Sequence, residues 1–225
     1  MSYDKTKVDN ELGKKVEEHL KSVGMQTPTT FLLDREAKVK IQEIEFHTKK
    51  IWETLGMDLT DDSLENTPNR IAKMMVLEHY WGLLPENFPK ITTIDNKMDA
   101  GMVVEKNIKV MSNCEHHGVV IDGVACVAYI PRKKVIGLSK LNRIVNFFSR
   151  RPQVQERLTN QIWHTLSFIL GTEDVAVYLD AVHFCVRSRG VEDANSSTVT
   201  SRLGGSFKSD AACRAEFMSV ARSMK

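Results

Sequence analysis

Two short clusters of metal-ligating side chains, about seventy residues apart, constrain this chain more than any other feature. They are Cys114-Glu115-His116-His117 and His183-Phe184-Cys185. If both grip one ion, the fold must bring their two chain regions to a common point. Cys114 and His117 have the C-x2-H spacing that lets two ligands from one turn reach a single tetrahedral ion. His183 and Cys185 stand two apart in VAVYLDAVHFCV at 175–186, the most strand-like run of the chain. On a strand, residues two apart point to one face. Spacing alone leaves three readings open. A structural site would use four protein ligands, and a catalytic site three with one position kept for water. Without metal, Cys185 is a small buried hydrophobe and His183 a core histidine. Two cysteines and one histidine as ligands would leave the other histidines free to move protons.

The remaining cysteines, Cys126 and Cys213, have no histidine neighbours and read as structural. Four cysteines in 225 residues are no disulfide framework, so metal binding in a reducing compartment is their better use. The 31 basic and 29 acidic residues are too evenly balanced to point to nucleic acid or an anionic membrane. No apolar run reaches 18 residues, and the polar N-terminus MSYDKTKVDNELGKK lacks a signal core. A cytoplasmic protein with no membrane or nucleic-acid partner is expected.

The hydrophobic period changes along the chain. Residues 9–23 place Leu12, Val16, Leu20 and Val23 at helical spacing, with Gly24 as a stop. A second helix is expected over 35–55, ending at Gly56. A third should start with Thr67 as cap and Pro68 as first helical residue and run to Gly82. After Pro89 strands begin. Residues 103–111 partly alternate, and Val119–Ile121, an Asp122-Gly123 turn and Val124–Ile130 read as a hairpin closed by Pro131. Two amphipathic helices follow, striped by Leu141, Ile144, Val145 and Phe148, then by Val154, Leu158, Ile162, Leu166 and Ile169 up to Gly171. After the 175–186 strand come a short strand at 198–203 and a closing helix at 209–222. The order strands, helix pair, strands predicts an α+β fold: an antiparallel sheet covered by two helices, preceded by a helical N-terminal part. The expected division is 1–90 and 91–225.

Two further constellations carry chemistry. Ser139-Lys140 with Arg143 opens the first sheet-covering helix, where unpaired N–H groups and added cations suit a polyphosphate. Arg187, Arg189 and Arg70 could join that pocket, though each alone reads as a solvated charge. No P-loop or dinucleotide fingerprint is present. Gln155-Glu156 starts the second helix, where a carboxylate is stabilising in any case. Its functional reading is guanine recognition, since one carboxylate can accept from both adjacent N–H donors on the base edge.

CEHH at 114–117, GLSKLNRIV at 137–145, RPQVQERLT at 151–159, DAVHFCVRSRG at 180–190 and TPNRIAKM at 67–74 together resemble the GTP cyclohydrolase I family over roughly residues 40–222. The resemblance implies a tunnelling fold (T-fold) in residues 91–225, with subunit sheets joined into a barrel. It implies a homodecamer of two stacked pentamers with active sites between subunits. The implied activity is hydrolysis of GTP at purine C8, giving formate and 7,8-dihydroneopterin triphosphate, the first step towards tetrahydrofolate. The implied zinc (Zn2+) ligands are Cys114, His117 and Cys185. His116 would protonate N7 and His183 carry a second proton. Gln155 and Glu156 would hold guanine, and Lys140, Arg143, Arg189 and Arg70 the triphosphate. Ser139 would lie near ribose and phosphates, and Glu115 would line the site. The chemistry fits these residues: zinc lowers the pKa of its bound water to about 7, and histidine can protonate the purine to make C8 electrophilic. Two other readings remain: a zinc-stapled oligomeric binding module without turnover, and a pterin-transforming relative that does not open the GTP ring.

Overall fold

The structure, a computed structural model, describes residues 4–224. The first three residues of the polar N-terminal stretch lie outside them. Helix α1 (Asn10–Ser22) starts where Asp9 accepts a hydrogen bond from the Leu12 N–H at 3.0 Å. Its inner stripe, Val16 and Leu20, is fully buried. Helix α2 (Ala37–Thr54) also forms as expected, yet Phe46, Ile51 and Leu55 are 57%, 58% and 71% exposed. Helix α3 (Thr67–Lys73) begins one position earlier than the sequence suggested. Asn66 is the cap, without a side-chain bond, and Thr67 is already helical. The helix then widens into a π-helical turn at Met74–His79.

The rest is mixed helix and sheet, an α+β arrangement. A five-stranded sheet has the order β5-β2-β3-β6-β7, built from β2 (Val103–Cys114), β3 (Val120–Tyr129), β5 (Pro152–Gln153), β6 (Val175–His183) and β7 (Thr198–Leu203). All its pairs are antiparallel except β2 with β5. A small ribbon pairs β1 (Thr93–Asp95) with β4 (Lys134–Ile136). One face of the sheet presents Ala125, Val127, Val177 and Leu179 to α4 (Leu138–Ser149) and α5 (Gln155–Leu170), and α1 packs on α5 in the same core. The other face presents Cys126, Ala128, Ala176 and Tyr178, covered by Phe207 of α7 (Gly205–Ser209) and Phe217 of α8 (Ala211–Ala221). Strand alternation therefore feeds two cores, and each fully buried large side chain contributes roughly 1.5–3 kcal/mol. No helix among the described residues is long and apolar enough to cross a membrane.

Two local expectations fail. Asp122-Gly123 is not a turn: β3 runs straight through it, with Asp122 opposite Val182 and Gly123 opposite Ala181. Glycine is needed there because a Cβ would sit 2.2 Å from the Asp180 carbonyl oxygen. The chain reverses instead at 115–119, inside the Cys-Glu-His-His motif. The second failure is at the end of β6, which stops at His183, after which Phe184–Arg187 winds into a helical turn, α6. Residues His183 and Cys185 therefore do not share a strand face.

A buried cation ties the N-terminal helix to the end of the sheet. Arg151, 1% exposed, lies with its guanidinium carbon 4.7 Å from the ring centres of both Phe147 and Phe148. It donates to the Gly82 carbonyl at 2.7 Å and to Thr27 Oγ1 at 3.2 Å, and it pairs with Glu17 of α1. The next residues are β5, which docks on Asn113 and Cys114.

Candidate active site

Cys114 is the last residue of β2 and is buried, 4% exposed. Its N–H donates to the Val119 carbonyl and its own carbonyl accepts from the Gly118 N–H, both at 2.8 Å. Gly118 takes a positive φ of 67°, the conformation glycine tolerates best. This tight reversal leaves Glu115, His116 and His117 exposed around a fixed sulfur. Helical turn α6 returns Cys185 to the same point. One ligand atom each from Cys114, His117 and Cys185 lies within 4.8 Å of the others. On a tetrahedral ion with bonds of 2.0–2.3 Å such atoms sit about 3.5–3.8 Å apart, so modest side-chain adjustment closes the set. Two thiols and an imidazole, all from the rim of one sheet, can hold a metal ion and leave a fourth position free. Burial and the Cys114 sulfur beside it push the Cys185 thiol up, the reverse of what a bound cation would do.

The remaining imidazoles are not members of the ligand set. His116 Nδ1 is 3.8 Å from Cys114 Sγ. His183 Nε2 lies 2.7 Å from Oε1 of Gln155, which is 1% exposed. The Gln155 amide group donates to the Thr198 carbonyl at 2.8 Å and to Thr200 Oγ1 at 3.1 Å. Its oxygen therefore faces the ring and accepts, so His183 carries its proton on Nε2 and offers Nδ1 as a base. Burial pushes the His183 pKa down, partly offset by the Glu156 carboxylate. Glu115 is clamped by both guanidinium nitrogens of Arg157, at 2.6 and 3.2 Å, and this pairing holds its carboxyl below the usual range. Arg189 donates to His117 Nε2 at 2.9 Å.

Of the expected cation group, Arg189 thus lies at the cluster, and the members on α4 lie elsewhere. Ser139, Lys140 and Arg143 are on the first two turns of α4, where Asn142 donates to Glu105 at 3.0 Å. Glu105 and Cys114 are nine strand residues apart, on the order of 30 Å. Within one chain the cations of α4 and the Cys/His cluster thus occupy opposite ends of β2. Burial pushes the Lys140 pKa down, reinforced by Arg143, Lys90 and Lys7. Arg70 is exposed on α3, which packs on α2. Arg187 lies over the Phe184 ring at 5.8 Å. Cys126 is fully buried between strands and α8, and its thiol is pushed up to about 11 by burial, which keeps it inert. Sequence reasoning missed Arg157, Thr198, Thr200, Lys7 and Lys90. Each acts on a partner distant in sequence, and only the fold reveals the pairing.

A family model described as GTP cyclohydrolase I matches residues 44–222. The chain belongs to the GTP cyclohydrolase I family. Its similarity to curated members of that family is close over nearly the whole length. A GTP cyclohydrolase 1 of Shewanella sp. (strain ANA-3) is 56% identical over 216 residues, 95% of this chain and 99% of the relative. The GTP cyclohydrolase 1 of Vibrio cholerae serotype O1 is 56% identical over 210 residues, 93% of this chain and 96% of the relative. That of Vibrio parahaemolyticus serotype O3:K6 is 56% identical over 211 residues, 93% and 96% of the two chains. The match spans both the Cys-Glu-His-His turn and the cation-bearing helix α4 of this GTP cyclohydrolase I family member.

Proposed function

We propose that this protein hydrolyses GTP at purine C8, releasing formate and forming 7,8-dihydroneopterin triphosphate, with a zinc ion held by Cys114, His117 and Cys185. The observation that carries the reading is the convergence of those three ligand atoms within 4.8 Å, and the Gln155 contact that orients the His183 ring supports it. Zinc in such a site supplies water activated at neutral pH.

The chain's own residues do the rest. C8 is a weak electrophile until N7 is protonated, and His116, exposed beside the Cys114 sulfur, is the group to deliver that proton. His183, held neutral by burial and with Nδ1 free, accepts and returns protons while the imidazole and ribose rings open and the pterin ring closes. Glu156, at the start of α5 and exposed, accepts from the two guanine N–H donors, with Gln155 behind it. Lys140, Arg143, Arg189 and Arg70 take the triphosphate, Ser139 lies near the ribose and phosphates, and Glu115 lines the site. Multi-point grip holds the substrate in place while its base is dismantled.

The separation along β2 supports an active site shared between subunits, with α4 of one chain facing the Cys/His cluster of another. The exposed apolar residues of α2 support extensive self-association, since soluble monomers rarely expose such clusters. A tunnelling-fold domain at 91–225, a helical region at 1–90, a decamer of two stacked pentamers and a cytoplasmic location complete the reading. Incubation with GTP tests it, following formate and, after oxidation, a fluorescent pterin. Chelation or Cys185→Ser should abolish both products, and full activity in verified zinc-free protein overturns the proposal. If zinc loss unfolds the protein while His116→Ala changes no turnover, the chain is a zinc-stapled binding module instead.

A further inference from the structure

The metal cluster draws its ligands from two elements of unequal rigidity. Cys114 ends a paired strand, whereas His117 sits in an exposed reversal whose backbone sets the reach of its ring, with Arg189 touching the ring at 2.9 Å. Three hydrogen bonds close that reversal on itself: Cys114 to Val119, Gly118 to Cys114, and Asn113 Nδ2 to the Gly118 carbonyl at 3.2 Å. All are internal to the β2–β3 connection, so none fixes the reversal relative to Cys185 on α6. Two ties from Glu115 reach outward, and both lead to the β5–α5 junction. Its N–H donates to the Gln153 carbonyl at 3.0 Å, and its carboxylate takes both nitrogens of Arg157.

We propose that Arg157 is a positioning residue for the metal site: its two-pronged grip on Glu115 sets the 115–118 reversal so that His117 meets Cys114 and Cys185. The inference rests on the zinc reading of that cluster. Helix α5 is a suitable anchor because Leu158 and Ile162, on the following turns, are fully buried. The same first turn carries Gln155, which orients His183. One turn of helix thus holds the metal-binding reversal and the proton-carrying histidine in a common frame. A guanidinium fork meeting a carboxylate through two parallel bonds fixes direction as well as distance, which a lysine ammonium cannot do. The Arg157 and Glu115 side chains are 18% and 27% exposed, and partly exposed pairs add little to overall stability. Their effect belongs on metal retention rather than on folding.

The test uses the full-length protein and Zn2+ alone as probe, reading its release to a chromophoric chelator, with thermal melts of the zinc-free protein alongside. Arg157→Met and the isosteric Glu115→Gln should each weaken zinc binding about ten-fold or more, as loss of supporting contacts around a metal site does. Their combination should be no worse than either alone, Arg157→Lys should be intermediate, and zinc-free melting should be unchanged in Glu115→Gln. Wild-type zinc affinity in Arg157→Met and Glu115→Gln overturns the positioning role. So does a loss of affinity that merely tracks a fall in zinc-free melting temperature across the variants. If the wild-type protein itself takes up no zinc, the metal reading fails, and that outcome is distinct from either of these.

Discussion

Oε1 of Gln155 lies 2.7 Å from Nε2 of His183, while the same side chain's amide donates to the Thr198 carbonyl at 2.8 Å. One buried amide therefore links the β6 end, the β7 start and the tautomer of a candidate proton carrier. Replacing it by leucine removes the acceptor and frees the ring to turn. Positioned proton transfer contributes about 10²–10⁴-fold to a rate, so Gln155→Leu should lower kcat by at least ten-fold with a smaller change in KM. A rise in KM at constant kcat would instead assign Gln155 to guanine binding. Gln155→Glu should act through charge. A carboxylate at Nε2 favours imidazolium and opposes the downward push of burial on His183. The acid limb of the pH–rate profile should then move to higher pH, as steady-state rates from pH 5.5 to 9 would record.

The separation of Lys140 from His116 along the sheet makes a mixing experiment decisive. His116→Ala and Lys140→Ala proteins should each be nearly inactive. If each site takes its metal end from one subunit and its cations from another, random mixed assemblies at equal ratio regain about a quarter of wild-type activity, because half of the donors on each side are intact. A site formed within one chain would regain nothing, since every chain carries one defect. Formate release after co-expression, or after dissociation and reassembly, reads the difference.

The helices were legible because amphipathic stripes are local: Val16 and Leu20, or Leu141, Ile144 and Val145, lie buried where their spacing put them. The proximity of Cys114 and His117 was legible for the same reason. The end of β6 was not. Alternation continues through Phe184 and Cys185, but β3 pairs with β6 only as far as Ile121 opposite His183, and β7 only as far as Thr198 opposite Ala181. With no partner strand left, the backbone turns into α6, and Cys185 reaches Cys114 and His117 by that turn rather than by strand geometry. The roles of Arg157 and Thr200 depend on approach between distant segments and leave no local mark.

The two glycines near the site illustrate the same limit and give separable stability effects. At Gly123 the backbone does not need glycine, but an alanine Cβ would stand 2.2 Å from the Asp180 carbonyl oxygen and 2.5 Å from Ala181. Strands β3 and β6 would have to part, at a cost of about 1–3 kcal/mol. At Gly118 a Cβ would meet open space, and the cost comes only from the positive φ, about 1–2 kcal/mol. Gly123→Ala should lower the denaturation midpoint of the whole sheet. Gly118→Ala should act on the reversal and loosen zinc as well. Denaturant titrations paired with zinc retention separate the two.

Acid sensitivity should include the α1–α5 contact. His164 on α5 lies 6.0 Å from the His19 ring of α1, and T-shaped against Trp163 at 4.8 Å. Burial pushes the His164 pKa down, and the Arg202 and His19 charges push it further. The folded protein therefore holds this ring neutral at a pH where the unfolded chain has already bound a proton. Because the unfolded state binds more protons between the lowered value and the ordinary 6.5, stability rises with pH through that window and levels off above it. His79 and His183 are shifted in the same direction and add to the slope. Melting temperature at fixed zinc should fall as pH drops below 6.5, and His164→Gln should make that fall shallower by removing one titrating group. An unchanged slope in His164→Gln would place the acid sensitivity on the other two histidines.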